Sequence, residues 1–540
     1  MGSIFNYILG AILVYHIHTF TYFIIFIFLG GLIMPRISGF DRNQSVLFCL
    51  DNYISSDNPV RIIDAFVDML NLEDLGFITF KSSAPGQQPY SRFDLLKLLL
   101  YGYTNGIRSS RKLANECLRN LELMWLIGGI SPSKSSISDF VKVNEIPLQN
   151  TFKQFVQFLK FADYVDGNIN VEDGTKIRAQ NSRNKYYSIK KIDNTIAYFN
   201  SQIEHYTSLL KNENSDSNDE SASSITFNEK ISNYKQKIDE FSNLKKNMID
   251  NNISQITLTD PDSRMMTSHG NSDISYNMQT SVDAKNSLIV ASDVVSDVND
   301  SNQLQNMHQK TTENLGTTPN STVADMGYFN AEQIANCEAA GSHVFVKRPK
   351  SKNATNNSNF SIDKFHFDPN RNIYICPFGK HLKFTRNLSK KKNKDDTEPS
   401  IIGYEYFCSD CAGCPYLHDC TSSKDGRRIT RNVHQDILDK VQKNFEENPN
   451  MYTLRKCVVE HPFGTIKRSL GFTYFLRRGL KAVRTEAALI CLAYDIKRLA
   501  NISKVEEIIQ KMEEFFLRFC LFFTHFFQLN KKIINSFSNL

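Results

Sequence analysis

Charge is missing from the start of this chain: residues 1–33 contain no Lys, Arg, Asp or Glu. A run of that length can span a bilayer, and taken literally it is an anchor or an uncleaved signal segment. It also lacks a basic flank, contains His16 and His18, and gives way to polar sequence just after Met34. We therefore expect 1–33 to be an apolar extension read from upstream of the true start, with a transmembrane segment as the alternative. No large excess of one charge exists either. The chain has 63 Lys and Arg against 57 Asp and Glu, a net +6 in 540 residues. Such a surplus admits a polyanionic partner without demanding one. Cysteine is scarce at 11, and five of these fall at 376, 408, 411, 414 and 420. That crowding excludes an evenly stapled disulfide scaffold and suggests a metal site in a reducing compartment.

The length allows several domains, and a hydrophobic content of 41% with 22% charged residues is ordinary for globular chains. "DNPVRIIDAFVDML" predicts a helix, with Ile62, Ile63, Phe66, Met69 and Leu70 at helical spacing and Pro59 suited to its first turn. "SSAPGQQPY" reads as a linker. Residues 90–150 follow as short helices: "SRFDLLKLLLYGYTNG", "SSRKLANECLRN" and the Ser-capped "SPSKSSISDFVKVN". With Arg108, Arg111, Lys112 and Lys134 scattered along them, region 34–155 fits a helix-turn-helix-like DNA reader, or equally a plain bundle with a solvated basic face.

"NINVEDGTKIR" predicts a strand that ends in Asp173 at a Gly turn. An insertion over 185–250 comes next. Ile189, Ile192, Ile196, Phe199, Ile203, Tyr206 and Leu210 are spaced three and four apart; Phe227, Ile231, Tyr234, Ile238, Phe241 and Met248 repeat the pattern with Lys245 in the missing slot. That is a heptad seam on two arms, hence a coiled-coil hairpin suited to a contact rather than to chemistry. "SYNMQTSVDAKNSLIVASDVVS" reads as two antiparallel strands, and "STVADMGYFNAEQIANCEAAG" as a strand ending at Asp325 with a helix from about Asn330. Residues 165–350 and 431–505 thus form an α/β layer.

A basic, Cys-rich insertion occupies 351–430. Cys376, Cys411, Cys414 and Cys420, with Cys408 as a substitute, have the spacing of a tetrahedral Zn²⁺ site, against the plain alternative of reduced structural thiols. Region 431–505 is helical, and Arg477 and Arg478 lead a basic cluster suited to phosphates. The tail 506–540 is apolar but charged near its start.

Three acids remain: Asp173 and Asp325 at strand ends, and Glu460 in "VVEHPFGTIKR" on a late helix. Singly each is an ordinary cap or solvated residue. Together they supply the hard oxygen ligands that Mg²⁺, or Mn²⁺, needs for two-metal phosphodiester chemistry.

"DGTKI", "VADMGYFN" and "VEHPFGTIKRSLGF…LRRGL", in this order, resemble the three catalytic segments of the DDE transposases of bacterial insertion sequences. The segment after Met34 resembles their N-terminal region, and the likeness runs to about 505. The resemblance implies an RNase H-like mixed sheet flanked by helices, with Asp173, Asp325 and Glu460 as the Mg²⁺-binding triad. It also implies cleavage at the element ends and joining of 3′ ends to target DNA, in a cytoplasmic, nucleoid-associated protein that pairs DNA ends as a homo-oligomer, with no membrane role unless 1–33 is genuine. One branch carries a Tyr-Arg-Glu-Lys signature. Glu460 and Lys467 match its spacing, Lys456 stands where the pattern has Arg, and Tyr452 is one residue out of register. Lys467, Lys456 and Tyr452 are the DNA-end contacts so implied. An RNase H-like nuclease without strand transfer, or an inactive DNA-binding protein, shares these features.

Overall fold

Two helices that are apolar almost all round lie at the centre of the fold, as such helices must. The computed structural model describes residues 49–78, 89–213, 222–268, 270–349, 358–390 and 400–518; the run 1–33 and the tail beyond 518 lie outside them. In chain order the first elements are α1 (Val60–Asp68), α2 (Arg92–Thr104), α3 (Ser110–Glu116), α4 (Leu121–Leu126), α5 (Lys134–Val143) and α6 (Glu145–Phe161). Side-chain caps start three of them: Ser109 accepts from Lys112 N, Asn120 from Glu122 N and Leu123 N, and Ser133 from Ser136 N. All residues of α2 from Leu95 to Thr104 are buried.

Next come β1 (Ile169–Arg178), β2 (Tyr186–Ser188), α7 (Ile189–Glu213), α8 (Ala222–Asp250), β3 (Gln255–Thr257), β4 (Arg264–Ser268), β5 (Asn271–Asp283), β6 (Leu288–Val295), α9 (Leu304–Leu315), β7 (Ser321–Ala324), α10 (Ala331–Ala339) and β8 (His343–Val346). β1 is the middle of the larger sheet. It runs antiparallel to β5 on one side and parallel to β7 on the other; β8 continues parallel beyond β7, and β6 and β4 pair with the far edge of β5. The order is therefore β6–β5–β1–β7–β8, with only β5 reversed among these five. The Cys-rich segment builds a separate five-stranded antiparallel sheet from β9 (His366–Asp368), β10 (Ile373–Ile375), β11 (His381–Ser389), β12 (Ile401–Phe407) and β13 (Arg428–Asn432), with the short α11 (Leu417–Cys420) between the last two strands. The described chain closes with α12 (Gln435–Glu447), α13 (Pro449–Gly464) and α14 (Leu480–Ile502).

α7 and α8 pair along the residues of the expected seam. Phe199 meets Tyr234 and Phe241, Tyr206 meets Phe227 and Tyr234, and the polar slot is used: Lys245 reaches Asp193 at 2.6 Å. The hairpin is closed at its neck by the β2–β3 pairing, Ser188 opposite Gln255.

The N-terminal helices and the sheet do not have separate cores. One cluster joins Phe66, Leu98, Leu100, Phe155 and Phe158 of α1, α2 and α6 to Val171, Tyr276 and Ile289 of the sheet and to Leu489 and Leu492 of α14. The described residues from Tyr53 to Arg518 accordingly fall in one compact unit. No described helix is long and apolar enough to cross a membrane.

β1 also differs from expectation. Asp173 does not end it; the strand continues through Gly174 to Arg178, with Asp173 opposite Thr280 and Gly174 opposite Gln279. Gly174 serves close approach rather than a turn. A Cβ there would lie 2.5 Å from Gln279 Nε2 and 2.8 Å from Asp300 Oδ1.

Candidate active site

Parallel pairing of β1 with β7 sets Glu172 against Ala324, so the next residues, Asp173 and Asp325, project from adjacent strands. Strands are about 4.8 Å apart. α13 lies over this pair. Tyr452 and Arg455, three residues apart on one helical face, both point down to it. The Tyr452 hydroxyl donates to Asp325 Oδ1 at 2.8 Å, and Arg455 spans the two acids, with Nη1 3.7 Å from Asp173 Oδ2 and Nη2 3.6 Å from Asp325 Oδ1. The guanidinium also sits 5.3 Å from the centre of the Tyr452 ring, which rests against Phe445.

Burial pushes the Asp173 carboxyl up to about 6; Arg455 and the Gly174 N–H, 2.9 Å from Oδ1, oppose this, while Asp325 and Asp300 add to it. Its neighbour Glu172 is completely buried and is pushed up to about 8. Lys467 donates to the Thr175 hydroxyl and to Lys176 O at 3.5 Å, which brings its ammonium to the same strand as Asp173. Burial lowers its pKa, and the Asp173 charge works against that. On the other side of β1, Asp300 accepts from Asn277 and Gln279 at 2.6 and 2.8 Å and pairs with Lys176 at 3.5 Å. Tyr328 donates to Gln279 Oε1, completing a polar layer beneath the acids.

Register with Glu460 puts Lys456 in the signature's arginine position, but Arg455 is the residue that meets the acids. Lys456 is exposed on α13 while Arg455 is largely buried at the acids. The spacing Tyr452–Arg455 was the available signal; the slip from the signature lies between Arg455 and Glu460, not at the tyrosine. Five residues of α-helix turn about 140°, so Glu460 faces away from Arg455 and is exposed. No ion pair or hydrogen bond joins Glu460 to either aspartate among the described residues. Lys467 regains the sheet because α13 passes into a wider π-helical turn over Thr465–Ser469.

The remaining basic residues divide. Arg108 is spent internally: Nη1 bonds Glu486 Oε1 at 2.9 Å, both side chains are buried, and the guanidinium stacks on Phe472 and Tyr474 at 4.8 Å. Arg477 pairs with Glu145 at 2.8 Å. Neither is presented to solvent as a phosphate contact would be. Arg111, Lys112, Lys134 and Arg478 are exposed. Arg478 lines an open groove with Arg178, Lys185 and Tyr474 beyond the end of β1.

Residues 375–500 match the family model described as "Transposase DDE domain", and residues 48–143 match "Transposase domain (DUF772)". Both models describe transposase domains, and together they cover less than half of the chain. The first match contains Tyr452, Arg455, Glu460, Lys467 and the five clustered cysteines; the second contains Arg108, Arg111, Lys112 and Lys134. Asp173 and Asp325 lie outside both. Comparison with curated proteins and with solved structures found no match.

Proposed function

We propose that this protein is a transposase that cuts the ends of a mobile DNA element and joins the 3′ ends to target DNA, on an RNase H-like core with Asp173, Asp325 and Glu460 as its acids. The observation that carries the proposal is the opposition of Asp173 and Asp325 on adjacent parallel strands, bridged by Arg455 and capped by Tyr452. The strand order, with β1 central and only its neighbour β5 reversed, supports the core assignment.

The donor set suits a hard cation in part. Two carboxylates, one of them buried enough to be costly when ionised without a counter-charge, sit side by side. Among the described residues no three His, Cys, Asp or Glu side chains are arranged to hold a metal ion, since Glu460 faces away. Asp173 and Asp325 are the residues that would hold Mg²⁺ or Mn²⁺, with Glu460 as the third ligand once α13 is engaged on DNA. The metal's contribution when bound is to polarise the phosphate and activate the attacking oxygen.

The protein's own groups set the remaining terms. Arg455 neutralises the acids before DNA arrives and can transfer its N–H donors to a phosphate, which it grips in a planar fork. Tyr452 orients Asp325 through its hydroxyl. Lys467 offers an ammonium beside Asp173, and the exposed Arg478, Arg111, Lys112 and Lys134 offer charge for more distant phosphates. We place this activity in the cytoplasm, on double-stranded DNA, with two or more copies pairing the element ends.

The test is cleavage and strand transfer on oligonucleotides carrying the element's termini, with Mg²⁺. Asp173→Asn, Asp325→Asn and Glu460→Gln are each expected to abolish cleavage and to leave DNA binding in place. Undiminished cleavage by the Asp173 or Asp325 variant would overturn the assignment. Undiminished cleavage by Glu460→Gln alone would remove that residue from the set. Cleavage without joining would identify a nuclease.

A further inference from the structure

The small Cys-rich sheet has too little core to explain its order. Its buried apolar cluster consists of Phe365, Tyr374, Leu382, Tyr406, Cys408, Cys411 and Ile429. Units of this size usually need a staple, a disulfide or a metal. All the described cysteines are free thiols. Five of them, Cys376, Cys408, Cys411, Cys414 and Cys420, line a single cavity of about 20 Å³ whose other walls are mainly aromatic and aliphatic. That volume admits one small guest.

The backbone around the thiols is shaped in two turns. At the first, following β10, Cys376 N donates to Lys380 O at 2.8 Å and Gly379 N to Cys376 O at 2.8 Å, and Lys380 N is aimed at Cys376 Sγ at 3.2 Å. Gly379 takes φ +78°, which makes this tight return possible. At the second, following β12, Cys414 N donates to Cys411 O at 3.0 Å, and Gly413 takes φ +79°. Gly426 lets a third segment approach, since a Cβ there would lie 3.0 Å from Cys411 Cβ. Cys420, at the end of α11, lines the same cavity as Cys376, Cys411 and Cys414. Cys408 is completely buried and faces the sheet's core cluster.

We propose that Cys376, Cys411, Cys414 and Cys420 form a structural zinc site, with Cys408 packed behind it. The thiols surround the cavity without converging to ligand distance as placed. Because the two turns already carry them to its wall, side-chain rotation rather than a new chain path closes the set. Binding replaces up to four S–H protons by one Zn²⁺, so protons are released to solvent. The site would brace the catalytic helices. β13 leads directly into α12, and Arg431 ties the sheet to that helix through Tyr374 at 3.2 Å and Asp436 at 2.5 Å. α13, with Tyr452 and Arg455, follows at once.

The test is elemental analysis of the full-length protein purified without chelator, after dialysis against metal-free buffer. About one zinc per chain is expected, released by a mercurial thiol reagent, and reduced at least tenfold in Cys411→Ser and Cys414→Ser but not in the surface control Cys457→Ser. Should the serine variants fail to fold, cobalt substitution of the unaltered protein provides the second readout. A tetrahedral thiolate-to-cobalt absorption pattern is expected. Metal-free protein that folds with five titratable thiols, or with disulfides among them by mass spectrometry, would overturn the proposal. The readout is metal content, so it stands or falls independently of strand cleavage.

Discussion

Arg455 bridges the Asp173 and Asp325 carboxylates, and its removal should be felt in the chemistry. Arg455→Ala is expected to lower cleavage on element-end oligonucleotides by about 10²–10³, the usual cost of losing a preorganised charge donor. Arg455→Lys should recover only part of this, because an ammonium cannot bridge both acids as a fork does. Lys456→Ala, on the exposed side of the same turn, should leave cleavage within a few-fold; a loss equal to that of Arg455→Ala would reverse this assignment of roles. Asp173 gives a separate prediction. Its folded pKa is raised from 3.8 to about 6, so its contribution to stability is fully present below about pH 4 and is lost as pH rises through 6. In chelator, Asp173→Asn should therefore be more stable than the parent by ~1–3 kcal/mol above pH 6, the gap closing toward pH 4. Urea titrations at pH 4.5 and 7.5 check the sign.

Among elements, the contact between the N-terminal helices and α14 is the most exacting. Glu486 is completely buried, accepts from Leu476 N and Arg477 N at 3.0 Å, and is neutralised by Arg108. Arg108→Ala leaves a buried carboxylate without its counter-charge and is expected to cost about 3–5 kcal/mol. The double change Arg108→Met with Glu486→Gln should cost less than the single one. A loss below about 1 kcal/mol in chemical denaturation would return Arg108 to the surface role that the sequence suggested. β1 is equally constrained at one point. Gly174→Ala must displace Gln279 and Asp300 from beneath the acids, and a loss of about 1–3 kcal/mol is expected from the crowding.

Taken as a whole, the described chain is a shared core with two excursions, of which the helical hairpin is closed at its own base. The helical hairpin departs and returns through the three-residue β2–β3 neck, so its removal leaves the central sheet paired. Replacing residues 189–253 by a short Gly/Ser linker is expected to keep Mg²⁺-dependent nicking within a few-fold while reducing self-association in size-exclusion runs on DNA. Loss of cooperative unfolding in that variant would show that the hairpin belongs to the core. The Cys-rich sheet is the other excursion and differs in kind, since it feeds directly into α12 and α13.

Local patterns in the sequence were enough for the helices, their Ser and Asn caps, the paired seam of the hairpin, the β5–β6 turn and the helix after Asp325. Each depends on residues close in the chain, where spacing and capping chemistry decide the outcome. The two aspartates and the crowding of the cysteines were legible for the same reason. Tertiary structure alone decided what those residues touch. Gly174 looked like a turn because nothing local shows the approach of Asp300 and Gln279 from β5 and beyond. Arg108 looked like a surface cation because its partner, Glu486, lies far along the chain. Spacing alone does not separate Arg455 from Lys456, because one residue of helix is a rotation of about 100°, and only the sheet beneath shows which side faces the acids.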